Sequence, residues 1–261
     1  LQNLAPAGIL SSCAGEAAYW LLMQLYRGRF VVKQVVPKEA ILKTWTPQTI
    51  VNTNKSTLSP NQFGLYGLGW FINDYAGRRV VSHDGGVDGF VSTTCFLPEE
   101  RLGILVFTNT DANNFYTALR LQILDAFLNQ PYKNYHQIFL NGFRQQDKAE
   151  RERIRRERER AALGLPTSLP LKDYVGKYRN SVYGDAEVKL EKEGLVVYFE
   201  HHPTLRAPLK SKGESEFLAT YSNPTMGIHP VPFKMTNGKV VSMRIKVNDF
   251  VEYGGYTFTK R

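Results

Sequence analysis

No run of about 18 apolar residues occurs in this 261-residue chain, so the sequence predicts no membrane-spanning helix. The most apolar stretch near the start, Tyr19 to Tyr26, is too short. It also lacks the basic flank and small-residue cleavage site of a secretory signal. Cysteine is scarce. Cys13 and Cys95 make neither a metal-ligand spacing nor a disulfide framework, which leaves two buried thiols or one disulfide and fixes no redox compartment. No recognisable nucleic-acid module accompanies the net charge of +9. Residues 1–143 carry 11 basic and 9 acidic groups, residues 144–165 carry 8 and 5, and residues 166–261 carry 14 and 10. That diffuse excess suits anionic surroundings rather than a specific nucleic-acid face.

What is present is ordinary in composition, 43% apolar and 22% charged, and long enough for two domains. Ser11 or Ser12 is placed to cap a helix in which Ala17, Trp20, Leu21, Gln24 and Leu25 recur at helical spacing and which Gly28 ends. Lys38 to Thr44 reads as a short helix, and 53–62 as a polar surface loop. From Tyr66 the period changes to that of strands. Residues 66–108 read as an antiparallel meander of four or five strands, in which Leu102 to Thr108, apolar nearly throughout, suits a central position. A helix follows from about Asn113 to Leu128, with Phe115, Leu119, Ile123, Ala126 and Phe127 as its apolar stripe.

The segment from Gln145 to Ala162 carries mixed charges with acid–base pairs four apart, which predicts an exposed, solvated linker helix. Gly164, Pro166 and Pro170 end it. Eight short strands at regular turn spacing then predict a small barrel or sandwich filled by Tyr174, Tyr178, Tyr183, Tyr198, Phe199 and Tyr256. The domains expected are therefore 1–143, a charged helical linker 144–165 and a barrel 166–261. His201 and His202 precede Pro203 without a carboxylate or third histidine at helpful spacing, so no metal site is expected.

The stretch Val80 to Phe90, Val-Val-Ser-His-Asp-Gly-Gly-Val-Asp-Gly-Phe, delivers a histidine to a backbone stripped of side chains. Four other segments accompany it in order: Ala5-Pro6-Ala7-Gly8 before the first helix, Tyr66-Gly67-Leu68-Gly69-Trp70, Leu97-Pro98, and Gly103 to Asn109. Together they resemble the C-terminal part of the serine β-lactamase-like hydrolases, the branch with class C β-lactamases, DD-peptidases and esterases. The tail from Leu171-Lys172-Asp173-Tyr174 resembles the lipocalin-like barrel often appended to that branch.

The resemblance implies an α+β fold, an antiparallel sheet with packed helices followed by an all-β barrel. It implies an acyl-enzyme mechanism without a cofactor, on a small-molecule or peptide substrate such as a β-lactam, a peptidoglycan-like peptide or an ester. His83, Asp84 and Gly85 match the family's His-x-Gly wall and would bind substrate. His83 and the backbone N–H of Gly86, an oxyanion donor, would act in catalysis. Periplasmic or extracellular location is the family's habit. The family's Ser-x-x-Lys is missing: no serine here lies three residues before a lysine, and no Tyr-x-Asn stands in the right place. The expectation is a piece of a longer protein whose N-terminal half supplies the nucleophile, and which exposes apolar surface without it. The alternative is a non-catalytic remnant whose barrel binds a ligand or peptide.

Overall fold

The computed structural model describes residues 8, 10–53, 58–87, 89–110, 113–246 and 254–261. The chain divides into two compact units, Leu1–Gln145 and Gln146–Arg261. The fold is α+β, with a six-stranded antiparallel sheet in the first unit and a closed eight-stranded barrel in the second.

The first unit opens with helix α1 (Ala14–Leu25), a two-residue-strand hairpin β1 (Arg29–Phe30) and β2 (Lys33–Gln34), and helix α2 (Lys38–Thr44). The expected serine cap of α1 is not made. Cys13 holds the cap position without a side-chain bond, and Ser12 Oγ donates instead to Glu16 Oε2 at 3.2 Å. The sheet runs in sequence order through β3 (Thr49–Asn52), β4 (Gly64–Tyr66), β5 (Phe71–Tyr75), β6 (Arg78–Val87), β7 (Phe90–Leu97) and β8 (Leu102–Thr108).

Successive residues of a strand face opposite sides, and β6 shows what covers each side. Val81 packs with Leu21, Trp45, Trp70 and Phe96, beneath α1 and α2. Val80 packs with Ala118, Leu121 and Leu124 of helix α3 (Phe115–Phe127). The same double cover explains the apolar run of β8. Among the described residues that strand is not central, as its composition suggested, but last in the sheet order. An apolar run reports two covered faces and says nothing of paired edges.

The stripe expected on α3 is also rotated. Ala118, Leu121, Leu124 and Asp125 are buried, whereas Phe115 and Phe127 are about half exposed. The reason is the buried Asp125, which a purely apolar stripe overlooks. Its carboxylate accepts from Tyr75 Oη at 2.5 Å and Tyr135 Oη at 2.7 Å. This joins β5, α3 and the start of helix α4 (Tyr135–Ala162).

Helix α4 begins ten residues before the charged run, with Tyr135 and Phe139 packed into the first core. Its charged half is not simply solvated. Ile154 and Ala161 pack with Leu218 and Ile228 of the barrel. Arg153 donates to the Ile228 carbonyl at 2.9 Å, Arg160 to the Lys212 carbonyl at 3.0 Å, and buried Lys212 pairs with Glu157 at 2.6 Å. The i, i+3, i+7 spacing of 154, 157 and 161 makes one docking face, hidden in the sequence by the charges around it.

The barrel closes in the order β10-β11-β12-β13-β14-β15-β16-β9. Its strands are β9 (Gly176–Asn180), β10 (Gly184–Glu191), β11 (Gly194–Phe199), β12 (His202–Ser211), β13 (Glu216–Thr220), β14 (Ile228–Thr236), β15 (Lys239–Ile245) and β16 (Tyr256–Lys260). Side chains fill its interior, among them Tyr174, Tyr178, Phe199, Phe217, Phe233 and Phe258. Tyr183 and Tyr256 pack at the edge of this core. Tyr198 does not belong to it. It sits on the outward phase of β11, with its hydroxyl on Glu191 and Lys189 over its ring.

Both cysteines are free thiols, Cys13 exposed and Cys95 buried in β7. Burial pushes the Cys95 thiol up to about 12, with Arg120 opposing and Asp84 adding to the rise. A thiol-reactive dye at neutral pH is therefore expected to titrate one cysteine in the native protein and two in denaturant. Two fast native equivalents would contradict the packing of β7.

Candidate active-site wall

Strand β6 outruns its neighbour. Its pairing with β5 extends only from Tyr75↔Arg78 to Phe71↔Ser82. Residues 83–87 pair with β7 on one side, from His83↔Thr94 to Val87↔Phe90, and meet no strand on the other among the described residues. The edge of β6 is thus open where the histidine and glycines lie.

Which backbone groups face that opening follows from the hairpin. Val87 and Phe90 close it across two residues, and such a closing pair exchanges hydrogen bonds. Pairs then alternate along the ladder, so Gly86–Val91 and Asp84–Thr93 do not exchange them. Their N–H and C=O groups point outward. Two contacts agree. The Asp84 carbonyl is free to accept from His83 Nδ1 at 2.6 Å, and the Val91 carbonyl turns toward β8, where Thr108 Oγ1 donates to it at 2.9 Å. The Gly86 N–H therefore points to the open edge.

His83 and Gly85 share the face of Val81, beyond the end of the Trp45–Trp70–Phe96 core. A carbonyl only accepts, so His83 Nδ1 carries the proton in its bond to Asp84 O. The other ring nitrogen, Nε2, lies 3.2 Å from Tyr66 Oη and shares a hydrogen bond with it. Phe71 braces the imidazole with ring centroids 5.7 Å apart. Tyr66 stands at the end of β4, which pairs Tyr66 with Phe71, and so reaches the histidine from two strands away.

Asp84 turns to the other face. Arg120 of α3 donates to its Oδ1 at 2.6 Å and to Thr93 Oγ1 at 2.7 Å. Arg120 is largely buried and Asp84 partly so, which makes this pair stronger than an open surface ion pair. It fixes the strand carrying His83 from behind. A Cβ on Gly85 would lie 2.7 Å from Ser92 Oγ, its cross-strand partner, so a side chain there must displace that hydroxyl. A Cβ on Gly8 would lie 3.8 Å from Val87 Cγ1, so Gly8 lies near the end of β6.

His83, Gly85 and Gly86 are thus gathered at one open edge, and Asp84 contributes its backbone to that edge and its side chain to the other face. Tyr66 and Arg120 complete the arrangement. Tyr66 lay within a quoted segment but carried no role there, and Arg120 is 36 residues from Asp84 with no local signal. Among the described residues no three His, Cys, Asp or Glu side chains converge on a metal-sized site. His201 sits beside Glu200 at 3.8 Å on the barrel. An apolar hollow of about 320 Å³ between α3 and α4, lined by Phe115, Phe139, Leu140, Phe143 and His136, lies on the Asp84 side of the sheet, not the His83 side.

Both units show similarity to known proteins. Residues 2–127 match the family model described as Beta-lactamase, and residues 160–259 match a domain of unknown function, DUF3471. The first match falls within the first unit and the second within the barrel unit. It is similar to the unguisins hydrolase ungD' of Aspergillus campestris, 24% identical over 204 residues, covering 75% of this chain and 36% of that protein. The unguisins hydrolase ungD of Aspergillus violaceofuscus is 28% identical over 140 residues, covering 48% of this chain and 24% of that protein. The chain thus spans about a third or less of the length of these curated relatives. Among solved structures, an octameric penicillin-binding protein homologue from Pyrococcus abyssi aligns with a TM-score of 0.39 at 18% identity, covering 95% of this chain and 47% of the other. A crystal structure of SurE aligns at 0.31 and 19% identity, covering 92% and 47%.

Proposed function

We propose that this chain supplies one wall of the active site of a serine hydrolase that works through an acyl-enzyme. The observation that carries the reading is the free edge of β6, where the Gly86 N–H points beside His83. A serine oxygen from elsewhere in the polypeptide attacks the acyl carbon. The carbonyl oxygen becomes an oxyanion, and the Gly86 N–H donates to it. The leaving group departs with a proton, and water then releases the acyl group and regenerates the serine. His83 holds Tyr66 through Nε2 and stands beside the edge where an anionic group of the substrate would lie.

A peptide-like substrate suits the edge, because its backbone can pair with the outward groups of Asp84 and Gly86. β-Lactam, peptidoglycan-like peptide and ester all present the required carbonyl. The relatives' names support hydrolysis as the reaction class. The barrel has the up-and-down strand order of lipocalin-like barrels, but its filled interior supports a structural module over a carrier of apolar ligands.

Covalent labelling tests this reading. With a fluorescent penicillin or an activated ester, the 261-residue chain alone is expected to stay unlabelled, because no Ser-x-x-Lys is present. The polypeptide extended upstream in frame, once it includes a Ser-x-x-Lys, is expected to take up one label per molecule. Stoichiometric labelling of the chain alone would place the nucleophile within it and sink the proposal. So would an extended polypeptide that no acyl reagent labels.

A further inference from the structure

The hairpin after α1 has no part in the site described above, and its chemistry points outward. Its tip is Val31-Val32, with relative exposures of 80% and 83%. Val31 holds φ at +54°, a conformation that a β-branched residue rarely adopts. A two-residue hairpin loop with positive φ at its first residue favours Gly there, so a valine at that position runs against the turn's own preference. Tyr19 and Tyr26 of the preceding helix are each 58% exposed, and Phe30 packs edge-on against Tyr19 with centroids 5.6 Å apart.

The surrounding charge has one sign. Between Glu16 and Glu39 no acidic residue occurs, whereas Arg27, Arg29, Lys33 and Lys38 all fall there. The base is rigid. The Gly28 carbonyl accepts from Val35 N at 2.9 Å and Val36 N at 3.1 Å, and Gln34 Nε2 donates to the Arg27 carbonyl at 2.8 Å. Gly28 itself holds φ at +90°, where an added Cβ would lie 2.1 Å from the Val36 carbonyl oxygen.

We propose that this hairpin docks the protein on an anionic lipid surface. Val31 and Val32 enter the boundary between headgroups and acyl chains, Tyr19 and Tyr26 sit at headgroup depth, and Arg27, Arg29 and Lys33 meet lipid phosphates. An apolar tip calls for an apolar medium, and a purely cationic rim calls for anions around it. A bilayer with anionic lipid offers both in that order. A second copy of the chain fits less well, since a two-fold contact at the tip sets the same cations against each other. No described helix is long and apolar enough to cross a membrane. The inference stands apart from the hydrolase reading.

Co-sedimentation with vesicles is the test. Binding to phosphatidylcholine vesicles containing phosphatidylglycerol is expected, falling with added salt, and much weaker binding to phosphatidylcholine alone. Val31→Asp with Val32→Asp is expected to weaken binding about tenfold or more. Lys33→Glu should weaken it at least about fivefold on the anionic vesicles only. Val31→Gly with Val32→Asn places glycine where the loop needs positive φ, so it does not act by unfolding the hairpin, and it too should lose vesicle binding. The proposal is overturned if the protein pellets with neither vesicle or equally with both. It is overturned also if the valine variants bind as well as the parent. Self-association through the tip without vesicle binding would assign the surface to a second copy instead.

Discussion

Replacing Asp125 by Ala is expected to lower the stability of the first unit by about 3–5 kcal/mol, the largest effect we foresee for one substitution outside the strands of the site. Asp125 is 2% exposed, and each of its oxygens accepts from a buried phenol, Tyr75 at 2.5 Å and Tyr135 at 2.7 Å. Removing the carboxylate leaves the two hydroxyls only each other, 3.5 Å apart, and at about 1–3 kcal/mol for each group left without a good bond the loss is large. It also unties three elements at once. Tyr75→Phe removes one donor but leaves the carboxylate a partner, so about 1–2 kcal/mol is expected.

The readout is clean because Trp20, Trp45 and Trp70 account for every tryptophan and all lie in the first unit. Urea unfolding followed by tryptophan fluorescence therefore reports that unit alone. An unchanged midpoint for Asp125→Ala would mean the triad is not load-sharing in the core.

Alkaline pH probes the same triad independently. Burial first, and then the Asp125 hydrogen bond, push the Tyr75 phenol far above its ordinary value of 10.0; burial first pushes Tyr135 up as well. The unfolded chain loses these protons near pH 10 while the folded one keeps them, so the unfolded state binds fewer protons. Stability is then full below about pH 10 and falls as pH rises beyond it. Tyr75→Phe should make that decline shallower, and a decline of unchanged slope would contradict the assignment.

The parts of the fold legible in the sequence were those where one strong signal stood alone. Strand β8 begins and ends at the expected residues because its apolar run stops at Asn109. All eight barrel strands were legible because turn signals such as Asn237-Gly238 recur between short apolar runs. What stayed hidden needed a partner distant in sequence. The position of β8 at the sheet's end is a matter of pairing, which composition does not encode. The buried face of α3 turns on Asp125, a residue that reads as polar surface until Tyr75 and Tyr135 are placed against it. The docking of α4 on the barrel turns on Ile154, Glu157 and Ala161, outnumbered by exposed arginines and glutamates. At the site, the His83–Gly86 run was legible as a histidine next to bare backbone. Arg120, which grips Asp84 from behind, and the hydroxyl of Tyr66 on His83 Nε2 were not.

In a polypeptide that joins this chain to an upstream Ser-x-x-Lys, Gly86→Pro is expected to slow acylation by about 10²–10³-fold, the usual cost of one lost oxyanion donor. Proline replaces the outward N–H by a ring methylene, so it both removes the donor and occupies its place. The ladder supplies the control. Gly86 and Val91 form a pair that does not exchange hydrogen bonds, so the substitution spares the bonding between β6 and β7. Proline is tolerated on an edge strand whose N–H faces outward. The melting temperature should accordingly shift far less than the rate, and Gly86→Ala, which keeps the N–H, should retain most of the activity. If instead Gly86→Pro and Gly86→Ala acylate at the same rate, the N–H is not an oxyanion donor. His83→Gln separates the second group of the wall. Glutamine can still bond to Tyr66 but cannot take up a proton, so a substrate with an anionic group should lose more in kcat/KM than its neutral ester. Equal losses for the two substrates would assign His83 to holding Tyr66 alone, and no loss for either would remove it from the site.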